Sequence, residues 1–129
     1  MNIYKQDSKK RGWKMSNYRF SDLSVEQLRQ EAQKYKEKAQ RAEQLGNISE
    51  VSINERKMQV ALAYMLNPKD FHAGDVHRLK GDPGHKFKIN YINGVFAWGH
   101  RINLLNETYE EEEAIPISLL DEVVNENKK

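Results

Sequence analysis

The sequence predicts an α+β domain: an N-terminal antiparallel α-helical hairpin followed by a small β-barrel. Two observations carry this. The hydrophobic period changes from 3.6 residues to 2 about halfway along the chain, and an Asn-Gly pair sits between two alternating segments in the second half. A third sets the scale. At 129 residues, 38% hydrophobic and 31% charged, the chain has one-domain length and enough apolar matter for its own core, which excludes the disordered and collagen-like classes.

The first helix starts at Ser24-Val-Glu-Gln27, which has capping-box form. Leu28, Ala32, Tyr35, Ala39 and Ala42 then recur at spacings of four and three, one stripe of a helix that Gly46 can end. Asn47-Ile-Ser-Glu50 is a second cap. It opens a stripe of Ile48, Val51, Met58, Leu62 and Met65 that Glu55 interrupts, with an ion pair to Lys38 or Arg41 expected of that carboxylate. Asn67-Pro68 stops the second helix, because proline cannot continue the ladder and restrains the residue before it. A connection this short makes the helices antiparallel neighbours.

In the second half Phe87, Ile89 and Tyr91 alternate with Lys86, Lys88 and Asn90 up to Asn93-Gly94, read as a two-residue hairpin turn. That turn pairs Ile92 with Val95, Tyr91 with Phe96, Ile89 with Trp98 and Phe87 with His100. One face, Phe87, Ile89, Tyr91, Phe96 and Trp98, is then the core. The other carries Ile92, Val95 and Ala97 near the turn, where the helical hairpin is expected to pack, and Lys86, Lys88 and Arg101 away from it. A strand over 75–80, a turn at Gly81-Asp-Pro-Gly84 and a last strand over 114–119 complete the set, with Pro116 marking an edge. Four or five short strands in one bent sheet suggest the small barrel.

The strings Lys38-Ala-Gln-Arg-Ala-Glu-Gln-Leu-Gly46, Glu55-Arg-Lys57, Ala63-Tyr-Met-Leu-Asn-Pro68, Tyr91-Ile-Asn-Gly-Val-Phe-Ala-Trp-Gly99 and Ala114-Ile-Pro-Ile-Ser-Leu-Leu120 resemble the YfhH-like family of small proteins from Gram-positive bacteria. The resemblance covers residues 18–120. It implies an SH3-like barrel preceded by the α-helical hairpin, and it supplies no catalytic or binding residue.

Motifs for chemistry are sparse. With no cysteine there is no disulfide, thiol nucleophile or thiolate metal site. His72, His77, His85 and His100 lack the tight pairing of a structural zinc site. Nucleophile elbows, phosphate-cradling Gly-rich loops and His-Glu-x-x-His are absent, so no enzyme, cofactor or small-molecule substrate is inferred. No apolar run approaches the ~20 residues of a membrane span. The candidate partner-binding residues are Arg78, Lys86, Lys88 and Arg101, a basic face on the barrel. Single-stranded nucleic acid would want exposed aromatics among those cations, whereas this register sends the aromatics inward. A protein partner is therefore the first expectation and nucleic acid the alternative, in a cytoplasmic, non-enzymatic interaction module. The acidic loop Glu107–Glu113 is read as flexible, either simply keeping the domain soluble or folding over the basic face.

The domain plan places a tail at 1–17, one domain at 18–121 (hairpin 24–66, barrel 70–120) and a frayed end at 122–129. Met1–Lys14 holds five Lys/Arg and one acid, net +4, against a chain total of +2. Its purine-rich codons before Met15 read as a translated ribosome-binding site, with Met15 the true start. A genuine basic arm is the competing reading.

Overall fold

The computed structural model describes residues 19–124, so the 1–17 tail and Met15 lie outside the described residues. Helix α1 spans Val25–Gln44 and α2 spans Ile48–Ala63. The capping box forms in full: Gln27 N donates to Ser24 Oγ at 3.1 Å and Ser24 N to Gln27 Oε1 at 2.9 Å. Asn47 Oδ1 accepts from Glu50 N, and Gly46 turns the chain with φ of 74°. Leu28, Ala32, Ala39 and Ala42 are buried along α1, as the stripe requires. In α2 the inward stripe is displaced by one position. Asn54, not Glu55, faces inward, satisfied by its own helix through Nδ2 donating to Glu50 O at 2.8 Å. Glu55 and Ile48 are exposed, and Glu55 has no ion pair among the described residues.

Five strands follow: β1 Val76–Leu79, β2 Asp82–Asn93, β3 Phe96–Asn103, β4 Glu113–Pro116 and β5 Leu120–Val123. They form one antiparallel sheet in the order β4-β3-β2-β1-β5. The sheet does not close into the small barrel expected. Strands β4 and β5, four residues each, are the two edges, and no ladder joins them. A 3-10 turn at Ile117–Leu119 spans the gap instead. Ile117 N donates to Val95 O at 2.9 Å, and Lys80 N donates to Leu119 O at 2.9 Å. Pro116 does sit on an edge strand, where its missing N–H costs nothing. Strand β5 is a departure from expectation: residues 122 and 123, expected to fray, belong to it, and it pairs with β1 through Leu79–Leu120 and His77–Val123.

Two turns differ from expectation. The bend after β1 is Lys80-Gly81, with Gly81 at φ of 75° and Leu79 opposite Asp82, so Pro83 and Gly84 lie within β2. In the central hairpin Asn93 pairs with Phe96, which makes Gly94-Val95 the two-residue loop. Gly94 has φ of 64°, at the position where a II′ turn takes glycine. Ile92 therefore faces Ala97 and Tyr91 faces Trp98. The register shifts between Ile89 and Tyr91, where Asn90 is an extra residue, and then continues as Ile89–Gly99, Lys88–His100 and Phe87–Arg101.

Phe87 and Ile89 face the core as expected, but beyond the Asn90 bulge and along β3 the slip exchanges the faces. The core holds Leu79, Phe87, Ile89, Val95, Ala97, Ile115, Ile117 and Leu120, joined by Ala63 of α2. Tyr91 is exposed and Trp98 half-buried, while Phe96, also half-buried, still packs against the core. The core burial of Val95, whose carbonyl also anchors Ile117, outweighs the local preference of Asn-Gly for the turn. The hairpin packs at this end of the sheet, as expected, but α2 touches mainly the 3-10 turn and β4. Ser118 Oγ donates to Gln59 O at 2.6 Å across that junction.

Candidate functional site

Residues directly opposite one another on neighbouring strands share a face. Arg78 is opposite Lys86, Val76 opposite Lys88, Lys88 opposite His100, and Tyr91 opposite Trp98. Arg78, Lys86, Lys88, His100, Tyr91 and Trp98 therefore lie on the outer face, away from the Phe87–Ala97 core. The Tyr91 and Trp98 rings stack with centroids 5.9 Å apart and planes 5° from parallel. Tyr91 keeps 46% of its surface exposed and Trp98 is half-buried, so a partly open aromatic pair shares this face with the three cations. The structure thus brings together Arg78, Lys86 and Lys88, and adds the aromatics that the predicted register had sent inward. The signal for this was available in Asn90, a polar extra residue mid-strand, but only the pairing reveals it as a bulge.

Arg101 does not join them. Opposite Phe87, it points to the inner face, where it closes the rim of the sheet. Its Nε donates to Glu113 Oε2 at 2.6 Å and its Nη1 to Asp82 Oδ2 at 2.8 Å, with 27% of its side chain exposed. Asp82 also meets His85 Nδ1 at 3.0 Å, and His85 Nε2 meets the Tyr109 hydroxyl at 2.9 Å. Facing a carboxylate, Nδ1 carries the proton, so in the neutral ring Nε2 accepts from Tyr109. The chain Glu113–Arg101–Asp82–His85–Tyr109 ties the middle of the β3–β4 connection and the start of β4 to β2. It contains an acid–base pair but no activated nucleophile. A neighbouring hollow of 360 Å³ is lined by Arg78, Lys80, Asp82, Lys86 and Asp121, a mixture of signs.

Arg78 is itself engaged by Glu122 at 2.9 Å, an exposed pair, and Lys86 Nζ donates to Asn106 Oδ1 at 3.2 Å. Lys88 is exposed.

The acidic connection is a folded strap, contrary to the flexible loop expected. Asn103 Oδ1 accepts from Leu105 N and Glu107 N, its Nδ2 donates to Glu107 Oε1 at 2.9 Å, and Asn106 takes φ of 65°. Farther along, His100 Nδ1 lies 2.9 Å from Tyr109 O and 3.1 Å from Glu111 O, and Asn90 Nδ2 donates to Glu112 Oε2 at 2.8 Å. The strap therefore fastens to the outer face next to the Tyr91–Trp98 pair.

The remaining histidines are separated. His77 is buried in β1, its Nδ1 donating to Asp121 O at 2.7 Å and binding β1 to β5. His72 is exposed near Asp75. Among the described residues no group of three His, Asp or Glu is placed to hold a metal ion, and no helix is long and apolar enough to cross a membrane.

Comparison of the sequence with known proteins finds relatives. The family described as "Protein of unknown function (DUF1811)" matches residues 18–121. Over 104 residues the chain is 42% identical to "Uncharacterized protein YfhH" of Bacillus subtilis (strain 168), covering 81% of this chain and 95% of that protein.

Proposed function

Since this chain belongs to the DUF1811 family, whose description names no chemistry, we propose from the geometry that it is a non-enzymatic cytoplasmic interaction module that engages a protein partner through the outer face of its sheet. In this reading the open five-stranded sheet is an SH3-like barrel left unclosed between β4 and β5 and braced by the helical hairpin. A long β2 pairing with both neighbours, and a 3-10 turn bridging the open side, support that reading.

The observation that carries the proposal is the Tyr91–Trp98 stack, whose Tyr91 ring is exposed and whose Trp98 ring is half-buried. Rigid aromatics encircled by polar groups are the usual composition of a protein-binding hot spot. Here the encircling groups have both signs: Lys88 on one side, the Asn90–Glu112 contact and the His100-bound strap on the other. A polyphosphate would meet the strap's carboxylates as well as the lysines. A mixed protein surface can satisfy both.

Single-stranded nucleic acid is the second reading. The alignment of Arg78, Lys86 and Lys88 beside an exposed aromatic pair favours it. One experiment separates the two. The tagged protein and its Tyr91→Ala variant are used for affinity capture from the native cell, and both are titrated with a fluorescent oligo(dT) at several salt concentrations. A stoichiometric protein captured by the parent and lost from Y91A supports the proposal. Capture unaffected by Y91A, or no protein captured alongside oligo(dT) binding with a steep salt slope, overturns it.

A further inference from the structure

A second charged surface lies on the helical hairpin, apart from the sheet. Between α1 and α2 runs a groove of 620 Å³ whose floor is Ala42 and Asn54. Its walls are graded. On α1, Lys38, Arg41 and Leu45 follow one another at helical spacing; on α2, Ile53 and Lys57 do the same. Each wall is thus apolar at the hairpin tip and cationic toward the middle. Leu45 is 78% exposed and Ile53 45% exposed. One acid, Glu50, faces three cations, and its carboxylate already meets Asn54 Nδ2 at 3.4 Å.

The cations are crowded. The ammonium groups of Lys34, Lys38 and Lys57 stand 5.1, 5.5 and 5.6 Å from the centre of the Tyr35 ring. Lys34 is neutralised by Glu31 at 3.0 Å. Among the described residues Lys38, Arg41 and Lys57 have no carboxylate partner. Like charges gathered on one aromatic ring repel one another, and a bound carboxylate relieves that repulsion.

We propose that this groove docks an acidic amphipathic helix of a partner protein, laid as a third helix along α1 and α2. Charge complementarity selects the acid, and the apolar ends at Leu45 and Ile53 select a peptide over a phosphate backbone. Two antiparallel helices offer the ridges and groove that such a helix needs. The chain's own ends are unsuitable occupants, since Met1–Lys14 is net basic and the last five residues are Asn-Glu-Asn-Lys-Lys. The docking does not depend on the outer-face reading.

The test is selection of phage-displayed random 16-residue peptides on the full chain, on a Lys38→Glu/Lys57→Glu variant and on Tyr91→Ala. Both lysines are exposed, and far-UV circular dichroism checks that the variant keeps its helices. Enriched peptides should carry acids and apolar residues at helical spacing. Their recovery should fall at least tenfold on K38E/K57E and stay unchanged on Y91A. No enrichment, enriched peptides without acids, or recovery indifferent to the reversal overturns the proposal. Equal displacement by heparin at matched charge overturns it in favour of a general polyanion site. Dimerisation abolished by K38E/K57E in sedimentation overturns it in favour of a second copy, through that copy's Glu110–Glu113 strap.

Discussion

Gly99→Ala tests the register on which the outer face depends. A Cβ at residue 99 would fall inside the van der Waals shell of the Lys88 carbonyl oxygen, 2.9 Å from the carbonyl carbon and 3.0 Å from Phe87 Cε2. Two of the three obstacles are backbone atoms of the paired strand, and Phe87 is fully buried, so none can swing aside. The strands must part just below the Asn90 bulge. Overpacking of a rigid core costs typically 1–3 kcal/mol, and a backbone obstacle puts this case near the top, at about 3 kcal/mol. Against a total stability of about 5–15 kcal/mol this should lower the melting temperature by roughly 10–20 °C. Urea unfolding followed by far-UV circular dichroism measures the free-energy cost, and a thermal scan the shift in melting temperature. Gly84→Ala is the control: there a Cβ meets only Asp82 Oδ1, at 3.7 Å, and stability should stay within about 0.5 kcal/mol. A G99A midpoint as close to the parent as that of G84A would mean that Gly99 does not lie against Lys88, and the register would be wrong.

The other predictions concern single contacts. Ser118→Ala removes the hydroxyl that joins the 3-10 turn to Gln59 O, and should cost about 1–2 kcal/mol while hydrogen exchange in the last turn of α2 accelerates. Arg101→Ala leaves Asp82 and Glu113 without their shared cation; because these side chains are about a third exposed, the loss should be roughly 1–2 kcal/mol and shrink in 1 M salt, which unfolding curves at two ionic strengths would show. Ser24→Ala breaks the capping box and should cost about 1 kcal/mol with a small loss of helical signal, whereas an unchanged midpoint would argue against the cap.

Local chemistry made the helical hairpin legible in the sequence. A cap is a contact between residues three apart, and the α1 stripe needs only helical periodicity, so Ser24, Asn47, Gly46 and the Leu28–Ala42 stripe all stood where expected. On α2 the same logic slipped by one position. Asn54 can satisfy its amide against the carbonyl of its own helix and enter the interface, while Glu55 keeps its charge in water. The existence of alternating strands was also readable, as was the edge position of Pro116.

Register was not. In a strand each residue belongs to one face or the other, and a one-residue slip exchanges them all. Whether Asn93-Gly94 or Gly94-Val95 makes the turn depends on whether Val95 is worth burying against Ile117, a residue more than 20 positions away that no local pattern brings near. That choice, with the Asn90 bulge, put Tyr91 and Trp98 outside and Arg101 inside. The sequence alone therefore determined the two helices, their caps and the alternating core of the central strands, because those depend on neighbours in the chain; the strand at Leu120–Val123 and the Lys80-Gly81 bend depend on pairing and were not legible in it. The tertiary structure alone decided which cations and aromatics share a surface, because facing is set by burial free energy summed over contacts distant in sequence.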